Sequence, residues 1–235
     1  MTETFDITFT NGNPLIAIDG GLFLVDTGAS RSMSVEPDCH ITLCGNHYTL
    51  NPLLGIERKI PQIAGGDVRG LIGTDILADH NVHFDYRAKQ VTFSNTFTPQ
   101  GSAEHSFIGG DPLSPKAYVA EVEVLIDGVP RKMIVDTGAP FSYVGPNILP
   151  FTPNDYYIDD DSPMGRIHAR TNVRQVSLMD REWKMPLSEM NNFLYLMTFN
   201  ILGVDGVIGK DMLDQFDIYI DTDGLLYAQP YPTTK

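Results

Sequence analysis

The chain has 235 residues, of which 42% are hydrophobic and 20% charged, with two cysteines and a formal net charge of −14. This composition is that of a globular protein with length for one large or two small domains, and with too few cysteines for a disulfide-based fold. The negative charge argues against binding to nucleic acid or to an anionic membrane, because both need a basic surface.

The chain also lacks the signals of membrane insertion and secretion. No stretch approaches the roughly 20 apolar residues that span a bilayer. Residues 1–6 (MTETFD) have neither the basic nor the apolar region of a signal peptide. We therefore expect a cytoplasmic protein.

The first 97 residues predict short strands joined by tight turns. The expected elements are strands at 5–10, 15–18 and 22–25, turns at 11–14 and 19–21, a short helix or irregular connection within 50–69, a buried strand at 70–73, a helical turn at 74–78, and a hairpin over 84–93. Strands and turns dominate, which predicts a mainly β fold.

Two cysteines and two histidines lie within residues 39–47 (CHITLCGNH). Their spacing fits no common zinc pattern, and the alternation of Ile41 with Leu43 before a Gly-Asn turn suits a β-hairpin. The hairpin interpretation is favoured, and no metal site is expected. His80 and His83 precede a predicted strand and are expected to be surface or capping residues.

Polar residues at 94–104 indicate a connection, after which a similar plan begins again. The expected elements are a strand at 118–126, a turn at 127–128, a strand at 131–135, a helix within 187–199, and a closing hairpin over 216–227. This order of strands resembles that of the first 97 residues.

Four short phrases occur twice in the same order, which indicates an internal duplication. The pairs are LVDTGA at 24–29 with IVDTGA at 134–139, GLIGTDIL at 70–77 with GVIGKDML at 206–213, VHFDY at 82–86 with IYIDT at 218–222, and NGNP at 11–14 with GGDP at 109–112. Each Asp-Thr-Gly-Ala follows an apolar run, so each places a carboxylate at the end of a buried strand, where it is costly unless it has hydrogen bonds or a function.

The distances between the copies show that the duplication is not symmetric. Asp26 and Asp136 are 110 residues apart, whereas Gly73 and Gly209 are 136 apart, so the second copy has 26 additional residues. Residues 41–43 (ITL) resemble 176–178 (VSL), which places the addition between Ala139 and Val176. The pattern there predicts an added hairpin.

Asp-Thr-Gly-Ala after an apolar strand, followed later by two apolar residues and glycine, resembles the aspartic proteases of the retropepsin and pepsin clan. The doubled set looks like a single-chain tandem of two retropepsin-type lobes. The resemblance implies that Asp26 and Asp136 form a catalytic pair, that Thr27 and Thr137 lock the two loops together, and that the following glycines give a tight backbone and room for substrate. The substrate-binding positions that the resemblance implies in the two loops are Thr27, Gly28, Ala29, Thr137, Gly138 and Ala139.

The resemblance also implies a flap, which is a β-hairpin that closes over the substrate. The 26 additional residues fall where the flap occurs in this clan, so we expect one flap, in the C-terminal lobe, over about 155–175. Its tip is expected near Pro163, with Met164, Gly165 and Arg166 touching substrate. The alanine after each Asp-Thr-Gly, where pepsins have a hydroxyl, implies a less acidic pH optimum.

The expected architecture is a mainly β, bilobal aspartic-protease fold with few short helices. It comprises an N-terminal lobe at 1–97 with a missing or reduced flap, a linker at 98–104, and a C-terminal lobe at 105–235. The expected function is hydrolysis of proteins or peptides by a monomer through two aspartates that share a proton, without metal or cofactor.

The main alternative is an inactive protein of the same fold that binds peptides. A serine or cysteine hydrolase is disfavoured because Ser30 and Ser142 have no evident histidine partner. A glycosidase is disfavoured because the two aspartates have matching contexts and the chain has one tryptophan, Trp183, which is expected in the core. The run Asp159-Asp160-Asp161 is interpreted as a solvated edge or, alternatively, as a preference for basic substrates.

Overall fold

The structure is a computed structural model. It describes residues 1–53, 55–96, 117–150, 152–179 and 181–232 with their side chains, and residues 102–104 and 106–108 as main chain. Most of the expected linker at 98–104, and the repeat at 109–112, lie outside the described residues. We call residues 1–96 the first half and residues 117–232 the second half.

The described part of the first half consists mostly of short strands. They are β1 Thr2–Asp6, β2 Thr8–Thr10, β3 Asn13–Ile18, β4 Gly21–Val25, β5 Met33–Ser34, β6 Cys39–Leu43, β7 Asn46–Leu50, β8 Val68–Ile72, β9 Asn81–Asp85 and β10 Gln90–Ser94. The helical segments are a 3₁₀ turn at Ile56–Lys59, α1 Ile60–Ala64 and α2 Thr74–Leu77.

The strands after the first half include five that are longer than any strand of the first half. The strands are β11 Ser102–Glu104, β12 Ser106–Ile108, β13 Val119–Ile126, β14 Val129–Val135, β15 Tyr143–Val144, β16 Tyr156–Ser162, β17 Gly165–Leu178, β18 Arg181–Glu189, β19 Gly206–Ile208, β20 Phe216–Ile220 and β21 Leu226–Pro230. The helices are α3 Phe193–Leu202 and α4 Lys210–Leu213. The prediction of a mainly β chain with few short helices is confirmed.

Each half contains a sheet with the same central order of strands. The first-half sheet has the order β2-β3-β4-β8-β5, and the second-half sheet has the order β12-β13-β14-β19-β15-β18-β17-β16. In both, a hairpin (β3–β4 or β13–β14) is followed by a parallel neighbour (β8 or β19) and then by a two-residue strand (β5 or β15). The repeated phrases therefore form the same local arrangement twice.

A third sheet takes strands from both halves. Its order is β1-β10-β9-β20-β21-β11, and the halves meet where β9 pairs with β20, for example Phe84 opposite Ile218. Phe84, Phe93 and Phe216 are fully buried and belong to one hydrophobic cluster with residues of both halves. The halves therefore share main-chain hydrogen bonds and a core.

The cysteine- and histidine-containing segment forms a hairpin. β6 and β7 pair around Cys44 and Gly45, both of which have positive φ (49° and 80°). Both cysteines are free and buried. Among the described residues no group of three or more His, Cys, Asp or Glu side chains is arranged to hold a metal ion.

The interpretation of His80 and His83 as surface or capping residues is wrong for His80. Its side chain is fully buried, because its ring is hydrogen-bonded to the Tyr48 hydroxyl at 2.9 Å and to Asn95 at 3.2 Å. His83 is half-buried and lies 2.6 Å from an Asp217 oxygen, across the β9–β20 junction. Both histidine side chains thus lie below the surface, where they are bound by polar groups from other parts of the chain.

The expected helix within 187–199 is correct only in its second part. Residues up to Glu189 belong to β18, and α3 begins at Phe193 because Asn192 caps it, with its side-chain oxygen accepting from Leu194 N at 3.0 Å. Helix α3 ends at Leu202, and Gly203, whose φ is 70°, follows it as the C-cap. No helix among the described residues is long and apolar enough to cross a membrane.

Two further predictions can be compared with the structure: the strand at 5–10 and the position of Trp183. The strand expected at 5–10 is divided at Ile7, because β1 pairs with β10 and β2 pairs with β3; the N–H of Ile7 donates to Lys89 O at 2.6 Å. Trp183 is partly buried and packs edge-on against Phe216, with 5.7 Å between ring centroids. It therefore lies at the edge of the core.

Candidate active site

The two Asp-Thr-Gly loops leave their strands in the same way. β4 and β14 each run parallel to a neighbour, β8 and β19, and the loop follows the last residue of the strand. The N–H of Asp26 donates to Ile72 O at 3.0 Å, and the N–H of Asp136 donates to Ile208 O at 3.0 Å. The two aspartates are therefore presented by matching pairs of parallel strands.

Reciprocal hydrogen bonds between buried threonines join the loops. The Thr27 hydroxyl donates to Val135 O at 2.9 Å and accepts from Thr137 N at 3.0 Å. The Thr137 hydroxyl donates to Val25 O at 2.8 Å and accepts from Thr27 N at 3.1 Å. All four bonds cross between the halves, so they fix the two loops in register with each other.

This register brings the two carboxyl groups into contact. Asp26 and Asp136 are hydrogen-bonded to each other through their side chains. The Oδ1 oxygen of Asp26 accepts from Gly28 N at 2.8 Å and Ala29 N at 3.1 Å, and Oδ1 of Asp136 accepts from Gly138 N at 2.9 Å. The main-chain donors hold each carboxyl against its own loop.

The protein environment favours a protonated form of this pair. Burial raises the pKa of both carboxyls, and the negative charge of Asp26 raises the pKa of Asp136 further, to well above its ordinary value. Two carboxyls in contact titrate as a unit and share one proton over the intermediate range of pH. The pair thus offers an acid and a base side by side, at half-buried positions.

Gly28 and Gly138 are needed because each lies against the carboxyl of the opposite half. A Cβ on Gly138 would lie 2.6 Å from Asp26 Cγ, and a Cβ on Gly28 would collide with the Asp136 carboxyl. The resemblance implies that these glycines give a tight backbone and space for substrate. The structure adds a different reason, which is the close approach of the second carboxyl.

A serine and an aspartate support each loop from beneath. The Ser32 hydroxyl donates to Asp75 at 2.5 Å and accepts from Gly73 N at 2.9 Å. Ser142 repeats this in the second half, with its hydroxyl donating to Asp211 at 2.6 Å. Burial raises the pKa of Asp211 to about 6, while the bonds from Ser142 oppose the shift.

Sequence reasoning missed these pairs, although a signal existed. Ser32 and Ser142 share the 110-residue spacing of the two loops, and Asp75 and Asp211 share the 136-residue spacing of the glycine motifs. The buried Ser142 hydroxyl is committed to Asp211, which agrees with the view that it is not a nucleophile.

The additional residues of the second half form the β16–β17 hairpin. Its strands pair from Tyr156 opposite Thr171 to Ser162 opposite Gly165, with the turn at 163–164. Met164 is 40% exposed, and Gly165 has a φ of 113°. Arg166 lies 3.5 Å from an oxygen of Asp159.

A cavity of about 390 Å³ lies between this hairpin and the first half. Its lining residues are Asn11, Gln62, Ile63, Phe141, Asp159, Asp160, Asp161 and Arg166. The cavity is therefore bordered by the hairpin, by the segment after the second loop, and by helix α1. Of the expected tip residues, Arg166 lines the cavity, whereas Met164 and Gly165 do not.

The three consecutive aspartates of the hairpin differ from one another. Asp159 is exposed and accepts from His168 at 2.8 Å. Asp160 is half-buried and accepts from the Tyr143 hydroxyl at 2.8 Å, and burial raises its pKa. The solvated-edge interpretation is therefore wrong for Asp160, which is tied to the strand that follows the second loop.

Two exposed tyrosines lie at the open end of the hairpin. Tyr156 is 42% and Tyr157 60% exposed, and the Tyr157 ring stacks on His168 with 4.9 Å between centroids. Another tyrosine, Tyr195 of α3, is half-buried. Burial raises the pKa of its phenol, and so do the charges of Asp136 and Asp26, which places it near the carboxyl pair.

Comparison with known proteins gives a partial structural similarity. No family model and no curated protein matches the sequence. Among solved structures, the EIAV protease complexed with the inhibitor HBY-793 is similar over 40% of this chain and 83% of the viral chain, with 18% identity and a TM-score of 0.32. This similarity to a retropepsin is partial, and the function proposed below rests on the geometry of the site.

Proposed function

We propose that this chain is an aspartic endopeptidase in which Asp26 and Asp136 act as one catalytic pair. The observation that carries the proposal is the contact between the two carboxyls, at a place where four reciprocal threonine bonds bring two matched loops together. Since one chain supplies both loops, a monomer is sufficient. The halves would then act as the two lobes of an aspartic-protease fold, joined through 98–104.

The chemistry follows from a pair that holds one proton; aspartic proteases are themselves the standard illustration of this principle. The ionised carboxyl takes a proton from a water bound between the two, and the resulting hydroxide attacks the scissile carbonyl carbon. The protonated carboxyl gives its proton to the carbonyl oxygen. A later proton transfer to the amine completes cleavage, and both carboxyls return to the starting state.

The β16–β17 hairpin would serve as the flap. It borders the cavity on the second-half side, and Asp160 ties it to Tyr143 close to the second loop. An extended peptide in the cavity would lie between this hairpin and helix α1. The first half has no comparable hairpin among its described residues, since β6 and β7 have five residues each.

The test is peptide cleavage by single-atom variants of the pair. The wild-type chain is incubated with a peptide library between pH 3 and 7 in the presence of EDTA, beside Asp26→Asn, Asp136→Asn and, as a matched control, the exposed Asp67→Asn. We expect cleavage by the wild type and the control, and a loss of about a thousandfold in both pair variants. Full cleavage by either pair variant would exclude a shared mechanism.

The alternative is a protein of the same fold that binds peptides without cleaving them. The same experiment separates the two, because a binding protein would retain peptide in equilibrium dialysis while no variant, nor the wild type, produced fragments. The pH dependence adds a second criterion. A pair with one shared proton gives activity that falls on both the acid and the alkaline side, as the pair gains its second proton or loses its only one.

A further inference from the structure

The tip of the β16–β17 hairpin is held by two side chains from different parts of the molecule. The Asn192 amide donates to Met164 O at 3.1 Å, and this asparagine also caps α3 in the same half. The Lys59 ammonium donates to Pro163 O at 2.7 Å, and it comes from the first half. Two neighbouring carbonyl groups of the turn are therefore bound from opposite sides.

The segment that carries Lys59 has a defined conformation. Glu57, whose side chain is buried, accepts from Leu53 N at 3.0 Å and from Gly55 N at 2.8 Å. Ile60, the residue after Lys59, is buried in the first-half cluster. These contacts fix the end of the 3₁₀ turn, so Lys59 extends from a rigid base although its own side chain is exposed.

The Lys59 contact lies beside the cavity and not inside it. Gln62 and Ile63, one helical turn after Lys59, line the cavity, as do Asp161 and Arg166 on either side of the hairpin turn. Lys59 and Pro163 are not among the lining residues. The bond thus spans the edge of the cavity without occupying the space inside.

We propose that Lys59 is a latch that holds the hairpin tip against the first half and sets how fast peptides enter and leave the cavity. The choice of a peptide as the ligand rests on the proposed function. The latch itself rests only on the bond between Lys59 and Pro163. The described residues of the first half contain no second hairpin of this kind. The contact between the hairpin tip and the first half is instead made by the Lys59 ammonium group.

A latch outside the cavity has a distinctive thermodynamic signature. A contact made equally in the free and the peptide-bound closed forms has no differential effect on affinity, so it cannot change the dissociation constant. It does raise the barrier to opening, which slows association and dissociation by the same factor. A lysine that touched the peptide directly would instead change the dissociation constant.

The first experiment measures opening without any ligand. Spin labels are placed at Ile56→Cys and Met164→Cys, both exposed positions on the two sides of the latch, and distances are measured by double electron–electron resonance. The native cysteines are buried. In Lys59→Met we expect the population at longer distance to rise on the order of fivefold, the scale of one partly exposed charged hydrogen bond. Lys59→Arg should restore the wild-type distribution.

The second experiment measures the exchange of a labelled peptide, selected from the cleavage library, in the non-cleaving Asp26→Asn background. Stopped-flow fluorescence should show association and dissociation rates both raised about fivefold by Lys59→Met, at an unchanged dissociation constant. The control is Lys184→Met, which removes an exposed lysine of β18 and should leave both rates as they are.

Each outcome decides a separate point. A wild-type distance distribution in Lys59→Met, or a failure of Lys59→Arg to restore it, would overturn the latch. A changed dissociation constant with unchanged distances would make Lys59 a peptide contact and also overturn it. If no peptide is cleaved or bound, the proposed function fails, while the distance measurement still decides whether the latch exists.

Discussion

The two halves are nearly identical at the carboxyl pair and differ in the hairpin that follows it along the chain. Beneath the site, each half supplies a parallel pair of strands, an Asp-Thr-Gly loop, and a serine bonded to an aspartate. The second half then has the β16–β17 hairpin, with strands of seven and 14 residues, whereas the β6–β7 hairpin of the first half has strands of five residues. The comparison teaches that the parts in contact across the junction are constrained to match, while the hairpins outside it are free to diverge.

Outside the carboxyl pair, the largest effect on activity is expected from shortening the β16–β17 hairpin, since no hairpin of this length occurs among the described residues of the first half. Replacing residues 159–168 by an Asn-Gly turn would join Ile158 to Ala169, which already face each other across the strands. Peptide cleavage should fall at least about a hundredfold, because water would enter the site and the peptide would lose its cover. Cleavage is measured beside circular dichroism.

A folded, fully active short-hairpin protein would contradict the assignment of this hairpin as the cover. The change removes the latch partner Pro163 as well, so the comparison with Lys59→Met separates loss of the cover from loss of the latch.

The base of the hairpin should be the costliest place for a stability change. Arg170 is 8% exposed and binds Asp155 at 2.8 Å, Glu189 at 2.6 Å and Leu149 O at 2.8 Å. Arg170→Met leaves these groups without their cation, and we expect the free energy of unfolding to fall by about 3 kcal/mol in urea titrations.

The exposed hairpin β6–β7 of the first half provides the contrast. His47 there accepts or donates one bond with Thr42 at 3.1 Å, and His47→Ala should change the free energy of unfolding by less than about 0.5 kcal/mol. Equal losses in Arg170→Met and His47→Ala would show that the two hairpins are anchored alike.

The threonine lock tests the symmetric part of the molecule. Thr27→Val and Thr137→Val each delete a buried hydroxyl and leave one main-chain N–H without its acceptor, so each should cost about 2 kcal/mol. The two values should agree, and the double variant should cost less than their sum because the bonds are reciprocal. Clearly unequal losses of unfolding free energy in the two single variants would show that the two threonines are not equivalent.

The last effect depends on pH and concerns Asp211, whose pKa burial raises to about 6. A carboxyl with a raised pKa binds more protons in the folded state, so its contribution to stability is present below pH 4 and is lost as the pH rises through 6. Asp211→Asn should remove a decline of up to about 3 kcal/mol between pH 4 and 7, seen in urea titrations at each pH.

The carboxyl pair titrates in both of these proteins, and the difference between them isolates Asp211. Parallel pH profiles for the wild type and Asp211→Asn would show that this carboxyl does not titrate in that range.

The sequence predicts those structural features that occur twice or that depend only on neighbouring residues. The strand before each Asp-Thr-Gly, the turns at positive φ such as Asp127, and the position of the additional hairpin all follow from apolar alternation, turn residues and the spacing of the copies. These signals need only neighbouring residues or a second copy for comparison. The mainly β class follows from the same patterns.

Such patterns do not predict contacts between side chains that are distant in sequence. Lys59 stands in a segment without a motif, and its partner Pro163 is 104 residues away. His80 is buried because Tyr48 and Asn95 happen to meet its two nitrogens, which no spacing indicates. The same holds for Asn192, whose amide reaches Met164 and whose cap starts α3 later than apolar periodicity predicts.

The pairing of β9 with β20 has a consequence for synthesis of the chain. Phe84 emerges from the ribosome well before Ile218, its partner in that pairing, so the edge of β9 has no neighbour while the second half is being made. An unpaired strand edge favours association with other chains, and pairings distant in sequence form slowly. We therefore expect folding yield to depend on translation speed and on chaperones that shield β9, and fragments cut between the halves to aggregate unless both are present.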